Sequence, residues 1–524
     1  MADFSFWFWF LLLSSLAIIL LLNFSKLTKL IIKQVFGHII RTIMTDPYEE
    51  NILELYSAGK RMGLQKIMEA NLRSEFGKAP LRPFGSPLKF PGFDDLLFDV
   101  AQLHILPIEE STSVDMKVVI GPRAKKPLIL DMPIMIGGMA YGFALSAKAK
   151  IALARGASLA GTATNSGGGA FLQAERDNAK HFILQYNRAF WNKDAETLRK
   201  ADAIEIQLGQ GSMAGLSHSM PAKDIDQELQ TAFPIPPGCD AVVQARFPDV
   251  QEPSDFSSLV QKIRQQVDGV PVGVKLAGGK NLELDLKILL DAGVDFIVLG
   301  GAQAGTHGSP PSISDSYGLP TLFNLVRARK FLELHNAVGK VSLIVSGGIS
   351  DPGEMLKALA LGADALYIGT AAIFAISHTQ VLKALPWEPP TQIVWYNAKY
   401  SSRFDENKGA QNLANYLKAC AQEMADGLRV MGKTSLKELS KKDLFGLSKS
   451  IAEITGVTLA YQPYKIRVQG FAKYSLVQKR CVSSLKPSSA PIHQSPLQGS
   501  HSAPDKSSNN EPTPRRYKYQ SRKR

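Results

Sequence analysis

From Pro133 onward the chain alternates short, continuous apolar runs with longer stretches in which apolar residues recur every third or fourth position. Apolar runs closed by glycine read as buried strands, and the longer periodicity between them reads as amphipathic helix. Eight strand candidates follow one another: PIMIGG, LAGTAT, FILQYN, AIEIQL, VPVGVKLAG, VDFIVLGG, VSLIVSGG and ALYIGT. Helical stretches such as ALSAKAKIALARG separate most of them. This alternation predicts a parallel sheet. Eight such units predict an α/β fold, a (β/α)8 TIM barrel with its active site at the strand C-termini.

The flanks read differently. Thr45–Pro127 mixes amphipathic helical patterns with the loop RPFGSPLKFPGF, as expected of a cap leading into the barrel. Lys408–Ser448 reads as largely helical, packed on the barrel. Phe4–Ser25 is an uncharged run of 22 residues, the length of a transmembrane helix. Lys26, Lys29, Lys33 and Arg41 follow it, so the positive-inside rule predicts a single-pass protein with the barrel on the cytoplasmic side. The expected divisions are a membrane helix at 4–25, a juxtamembrane and cap region at 26–127, the barrel with its C-terminal helices at 128–465, and a basic tail at 470–524. The tail is rich in Ser, Pro, Asn and Gln and lacks the apolar content to build a core, which predicts disorder.

Charge sharpens this picture. The formal net charge is +13, but Lys473–Arg524 alone carries +9 of it, and the body from Thr42 to Ala472 is close to neutral. A basic surface for DNA or RNA is therefore not expected, and no nucleic-acid partner is predicted. Cys239, Cys420 and Cys481 lie far apart, without the paired spacing of a disulfide framework, a zinc site or an iron–sulfur centre.

The densest chemistry lies in Ser342–Ala372, SLIVSGGISDPGEMLKALALGADALYIGTAA. A Gly-Gly turn at Gly347 and Gly348 and a Gly-Thr turn at Gly369 and Thr370 close successive strands. Such turns leave backbone N–H groups free to face one anion, and the last two strand ends of a barrel are where phosphate binds. Other polar groups follow other strands: Thr164 and Asn165 in TATNSGGG, Gln210 after AIEIQL, Lys275 in VGVKLAG, and Gln303, Thr306 and His307 in GGAQAGTHGSPP. An amide suits the pyrimidine edge of a flavin, and a cation stabilises charge that builds near its N1 and C2 carbonyl on reduction. The glycine-rich IGGMAYG permits close approach to a ring.

These segments resemble the FMN-binding domain of glutamate synthase, and especially the short, single-domain glutamate synthase-like proteins. The likeness runs from about Gly121 to Gly446, through IGPRAKKPLILDMPIMIGGMAYG, ALARGASLAGTATNSGGG, AIEIQLGQGSMAG, SDSYGLP and the glycine turns. It implies FMN as cofactor, with its phosphate at Gly347, Gly348, Gly369 and Thr370 and its ring against Met139, Ala140, Thr164, Asn165, Gln210 and Lys275. It also implies Lys275, Gln210 and Arg188 as catalytic residues, a small-molecule substrate, and an external electron donor, either a protein or a pyridine nucleotide. The implied reaction is reductive amination of 2-oxoglutarate, or a related keto acid, with ammonia.

The departures concern the substrate. The family's QGAKPGEGG is here QGSMAGLSH, which puts Met213 where a lysine stands and Ser219 near an expected glutamine. Gly168 replaces the acid of NTGEGG, Gln207 the lysine of EIK, and His307 enters the GGTG turn. Arg188 and Arg246 are the cations left to meet a dicarboxylate. Two further readings stay open: a degenerate flavin-binding barrel acting as a membrane-tethered regulatory or interaction subunit, and a flavin oxidoreductase acting on another amino or hydroxy acid. His307 as a general base would mark the second.

Overall fold

Each of the eight expected strands forms, and glycine or a polar residue ends it where the apolar run stops. They are Ile134–Ile136 (β1), Ala163–Asn165 (β2), His181–Tyr186 (β3), Ala203–Gln207 (β4), Val272–Ala277 (β5), Phe296–Gly300 (β6), Ser342–Ser346 (β7) and Ala365–Ile368 (β8). In this computed structural model, which describes residues 2–51, 53–305, 308–384 and 389–463, the strands form one parallel sheet. The order is β1-β8-β7-β6-β5-β4-β3-β2, so consecutive strands are neighbours and β1 returns to β8. Between β1 and β2 the Thr162 hydroxyl donates to the Ile134 carbonyl at 2.6 Å, and Asp131 N–H donates to Gly161 O at 3.0 Å. The sheet is a nearly closed barrel.

Side chains alternate in and out along each strand. Met135, Ala163, Ile183, Ala203, Phe296, Val298, Ile344, Ala365 and Tyr367 form one buried cluster with Ile120, Leu128 and Leu130 of the hairpin Val118–Ile120/Leu128–Leu130. Gly121 N–H donates to Ser342 Oγ at the first residue of β7, so the hairpin plugs the N-terminal end of the barrel. That leaves the other end for the site. The outward residues of the strands meet the helices in a second, larger core. Burying each such Leu, Ile or Phe stabilises the fold by about 1.5–3 kcal/mol.

Most strands are followed by a helix whose start is capped as the sequence dictates. Ser146 caps Ala147–Ala160, and Asp351 with Glu354 forms a capping box on Pro352–Ala360. The long helix Glu406–Val430 starts two residues before the stretch read as helical, covers its first half and packs on Ala147–Ala160, while Leu436–Gly446 forms short turns and a strand instead. The contact depends on small residues, because a Cβ on Gly156 would stand 2.9 Å from the Ala410 carbonyl.

The cap consists of the helices Glu54–Met62 and Leu64–Phe76 followed by an extended segment. Leu96–Phe98 pairs antiparallel with Leu444–Gly446. Arg82 ties this region to the barrel. Its Nε donates to Glu69 at 2.6 Å, and its two terminal nitrogens donate to Asp315 at 2.5 and 2.8 Å.

One expectation is corrected. Among the described residues no helix is long and apolar enough to cross a membrane. This overturns the transmembrane helix, the membrane association and the single-pass cytoplasmic placement built on it. The apolar run is part of one 44-residue helix, Ala2–Thr45, which continues without a break into the segment bearing Lys26, Lys29, Lys33 and Arg41. The chain divides into a compact unit, Met1–Gln462, and a second, Pro463–Arg524. The expected disordered tail lies outside the described residues.

Candidate active site

The strand C-termini open into a cavity of about 1330 Å³. Of the sequence-predicted residues, Met139 and Ala140 after β1, Gln210 after β4, Lys275 on β5, Gly347 and Gly348 after β7, and Gly369 and Thr370 after β8 all line it. Residues far apart in the chain are thus brought to one wall by the barrel topology alone.

The two glycine turns are built differently. Gly347 and Gly348 have φ of +120° and +68°, a region that side chains resist. The N–H groups of the helix after β7 are already taken by Asp351 and Glu354. The helix after β8, Thr370–Ser377, has no side-chain cap at Gly369. Among the described residues no acceptor is found for the N–H groups of Gly348, Gly369 and Thr370. A Cβ on Gly369 would meet nothing within 4 Å, so this turn faces open space. Uncapped amides at a helix start, aligned with its dipole, form a site for an anion.

Gln303 has other work. Its Oε1 accepts from Thr321 N–H at 2.8 Å and so caps Thr321–Leu334. The Thr321 hydroxyl lies 2.8 Å from the Gly347 carbonyl and holds the β7 turn in place. Thr306 and His307 lie outside the described residues.

Lys275 is 5 % exposed and makes no hydrogen bond among the described residues. Its ammonium lies 5.7 Å from the Tyr367 ring centroid. Burial lowers its pKa, while the Glu205 carboxylate acts the other way. Glu205 is itself held from both sides, accepting from Gln185 Nε2 at 2.6 Å and from the Tyr367 hydroxyl at 2.8 Å. A buried cation without a hydrogen-bond partner is costly unless a ligand supplies an acceptor.

Thr164 and Asn165 do not line the cavity, being wholly buried on β2. Asn165 holds the loop behind it, accepting from Gly167 N–H at 2.9 Å and donating to the Tyr367 hydroxyl at 3.3 Å. The Thr164 hydroxyl has no partner among the described residues. Arg188 is also outside. Its guanidinium donates through Nη1 to the carbonyls of Gly215 and Ala245 at 2.7 and 2.8 Å, it is 1 % exposed, and its Nε has no hydrogen-bond partner among the described residues. Arg246 is exposed and does not line the cavity.

Sequence reasoning missed several parts of the wall. Phe84 of the cap segment packs against Phe374 and Trp395, and all three line the cavity. The excursion after β4 brings His218, Met220, Lys223, Asp224 and Asp226 to its mouth. Asp226 is fixed there by the Tyr396 hydroxyl at 2.8 Å. No periodicity in the sequence marks these residues as neighbours.

The conserved region in glutamate synthase matches residues 94–434. The glutamate synthase large subunit-like protein of Rhizobium meliloti is 35% identical over 420 residues, covering 75% of this chain and 93% of that protein. The chain belongs to the glutamate synthase family. The archaeal-type glutamate synthase [NADPH] of Thermotoga neapolitana is 32% identical, covering 64% of this chain and 66% of that protein. The archaeal glutamate synthase [NADPH] of Methanocaldococcus jannaschii is 31% identical, covering 66% of this chain and 68% of that protein. Among solved structures, a mutant flavocytochrome b2 with benzoylformate aligns with 16% identity and a TM-score of 0.44 over 77% of this chain and 84% of that one, a likeness too weak to carry an argument.

FMN is the cofactor of this glutamate synthase-family barrel, and the residues present fit it. Among the described residues the N–H groups of Gly348, Gly369 and Thr370 have no acceptor and the Lys275 ammonium makes no hydrogen bond, and all four residues line the same cavity as the glycine loop after β1. Gly138 leaves no room for a side chain against the β2 loop: a Cβ there would stand 2.7 Å from Asn165 Oδ1. At Met213, Gly168 and Gln207, where the sequence departs from the family pattern, the residues are engaged within the protein. Met213 is buried, Gly168 O accepts from Trp191 Nε1 at 3.1 Å, and Gln207 donates to Gln210 Oε1 at 3.1 Å.

Proposed function

We propose that the chain is an FMN-dependent oxidoreductase of the glutamate synthase type that reductively aminates a 2-keto acid, 2-oxoglutarate or a relative, with ammonia and an external electron donor. The observation that carries this reading is Lys275, a buried ammonium with no hydrogen bond among the described residues, set in the wall that also presents the free amides of Gly348, Gly369 and Thr370. In balance, the keto acid, ammonium, two electrons and two protons give the amino acid and water. Bound FMN supplies hydride transfer between the electron donor and the carbon that becomes the amino acid's α-carbon.

This chain's own residues do the rest. The amides of Gly348, Gly369 and Thr370 hold the phosphate. Lys275 keeps a positive charge in a low-dielectric wall, where it is worth far more than in water. Gln210, oriented by Gln207, presents an amide to the ring edge. Phe84, Phe374 and Trp395 form an apolar wall that keeps water from part of the cavity. The test is anaerobic mixing of the reduced holoprotein with 2-oxoglutarate and ammonium, followed by flavin absorbance. Rapid reoxidation supports the reading, and its failure with every 2-keto acid tried defeats it.

A specific observation favours a relative of 2-oxoglutarate over the dicarboxylate itself. Lys223 and Lys275 are the Lys or Arg residues that line the cavity among those described; Arg188 and Arg246 do not line it. A lost charge-assisted contact is worth about 1.5–3 kcal/mol. The same mixing experiment with monocarboxylic keto acids separates the two, the faster substrate naming the class.

A further inference from the structure

Lys150 lies on the helix after β1, where a sequence reading makes it one more helix lysine. Its side chain is wholly buried, as is that of Glu175 beside it. The ammonium donates to three backbone carbonyls: Met139 at 2.8 Å, Asn165 at 2.9 Å and Ser166 at 3.1 Å. Glu175 Oε1 lies 2.9 Å away. An ammonium has three protons, so the three carbonyls use its donor capacity. Those carbonyls belong to the loops that close β1 and β2.

A trans peptide points its N–H away from its C=O, so each carbonyl that faces Lys150 sends an N–H to the opposite side. Two of those N–H groups are used inside the protein: Ser166 N–H donates to Ile183 O at 3.0 Å, and Gly167 N–H donates to Asn165 Oδ1 at 2.9 Å. The third belongs to Ala140, which lines the cavity and whose N–H has no acceptor among the described residues. A cation on the carbonyl of that peptide also polarises its N–H, strengthening it as a donor.

We propose that Lys150 is a positioning residue for the flavin: by gripping the Met139 carbonyl it fixes and polarises the Met139–Ala140 peptide, whose free N–H serves the ring. This rests on the flavin reading of the cavity. Glu175 holds the cation in place and offsets part of its field.

The test uses the full chain as wild type, Lys150→Met and Glu175→Gln. Each is titrated with FMN at pH 8, and the midpoint potential of the bound flavin is measured against indicator dyes. The wild type comes first; if it takes up no FMN, the flavin reading itself has failed. With FMN bound, Lys150→Met is expected to raise the dissociation constant at least tenfold. It should also lose a tenfold preference for the reduced cofactor, a drop of about 30 mV for a two-electron couple. Glu175→Gln unmasks the cation and is expected to move the potential upward. Opposite shifts are what a purely structural pair would not produce. Should Lys150→Met not fold, Lys150→Met/Glu175→Met removes both charges together and is expected to show the same weakened binding. Wild-type affinity in the Lys150 variant, or potentials that shift in the same direction in both single variants, would overturn the proposal.

Discussion

At the scale of single residues, burial separates two kinds of polar group. Lys275 and Gln210 were legible because each is a polar residue near the C-terminal end of an apolar run, and in a barrel that end faces the mouth. Asn165 and Arg188 satisfy the same pattern, but neither lines the cavity, and both make hydrogen bonds to loops of the protein. No pattern distinguishes a side chain that meets a ligand from one that braces a loop. Thr164 makes a sharp test. Its hydroxyl has no partner among the described residues, so Thr164→Val is expected to leave the apoprotein's melting temperature unchanged or higher. If the hydroxyl serves the ring, the same variant binds FMN about tenfold more weakly by fluorescence quenching. Glu175 gives a second. Burial raises its pKa from 4.5 to about 7, against the pull of Lys150. Below 4.5 the folded and unfolded chains both carry the proton. Between 4.5 and about 7 only the unfolded chain releases it, so stability falls as pH rises across that window. Urea midpoints of the wild type minus those of Glu175→Gln should show that decline, and a flat difference would contradict it.

At the scale of elements, the glycine turns were the clearest signal in the sequence, and the structure divides their work. Gly347 is conformational: φ is +120°, and a Cβ would sit 2.8 Å from Ala304 N and from Thr321 Oγ1. Gly347→Ala is expected to destabilise the apoprotein by about 1–3 kcal/mol. Gly369 has negative φ and open space around it. Gly369→Ala should therefore cost less than about 1 kcal/mol in stability yet weaken FMN binding, because its methyl group enters the cavity. Thermal melts set beside FMN titrations read both effects, and equal loss of stability in the two variants would contradict this division. Gln303 was not legible as a cap. Its partner Thr321 lies 18 residues along the chain, beyond any local capping signature.

At the scale of the whole molecule, the barrel could be read from the sequence because strand and helix periods alternate through it with few interruptions. The cap could not. Its contribution is a single extended segment carrying Phe84, held by Arg82 between Glu69 and Asp315, contacts that no period predicts. Among the described residues, Arg82→Ala leaves Glu69 with only Arg73 and Gln65, and Asp315 with only Ser86, and is expected to cost about 3 kcal/mol. It should also loosen FMN binding, because the segment it anchors is part of the cavity wall. A calorimetric melt with and without FMN checks both, and an unchanged melt would place the cap outside the fold's cooperative unit. The N-terminal run misled for a related reason: hydropathy gives the length of an apolar stretch but not the element that contains it.

All of these readings converge on one cavity, and the most direct measurement is an absorbance titration of the purified full-length chain with FMN, alongside Lys275→Met. The account predicts a flavin spectrum perturbed by binding and saturating at an equimolar ratio, with at least tenfold weaker binding in the variant. A wild-type chain that stays colourless after FMN is added and the excess removed, or a Lys275 variant that binds as tightly as the wild type, would contradict it.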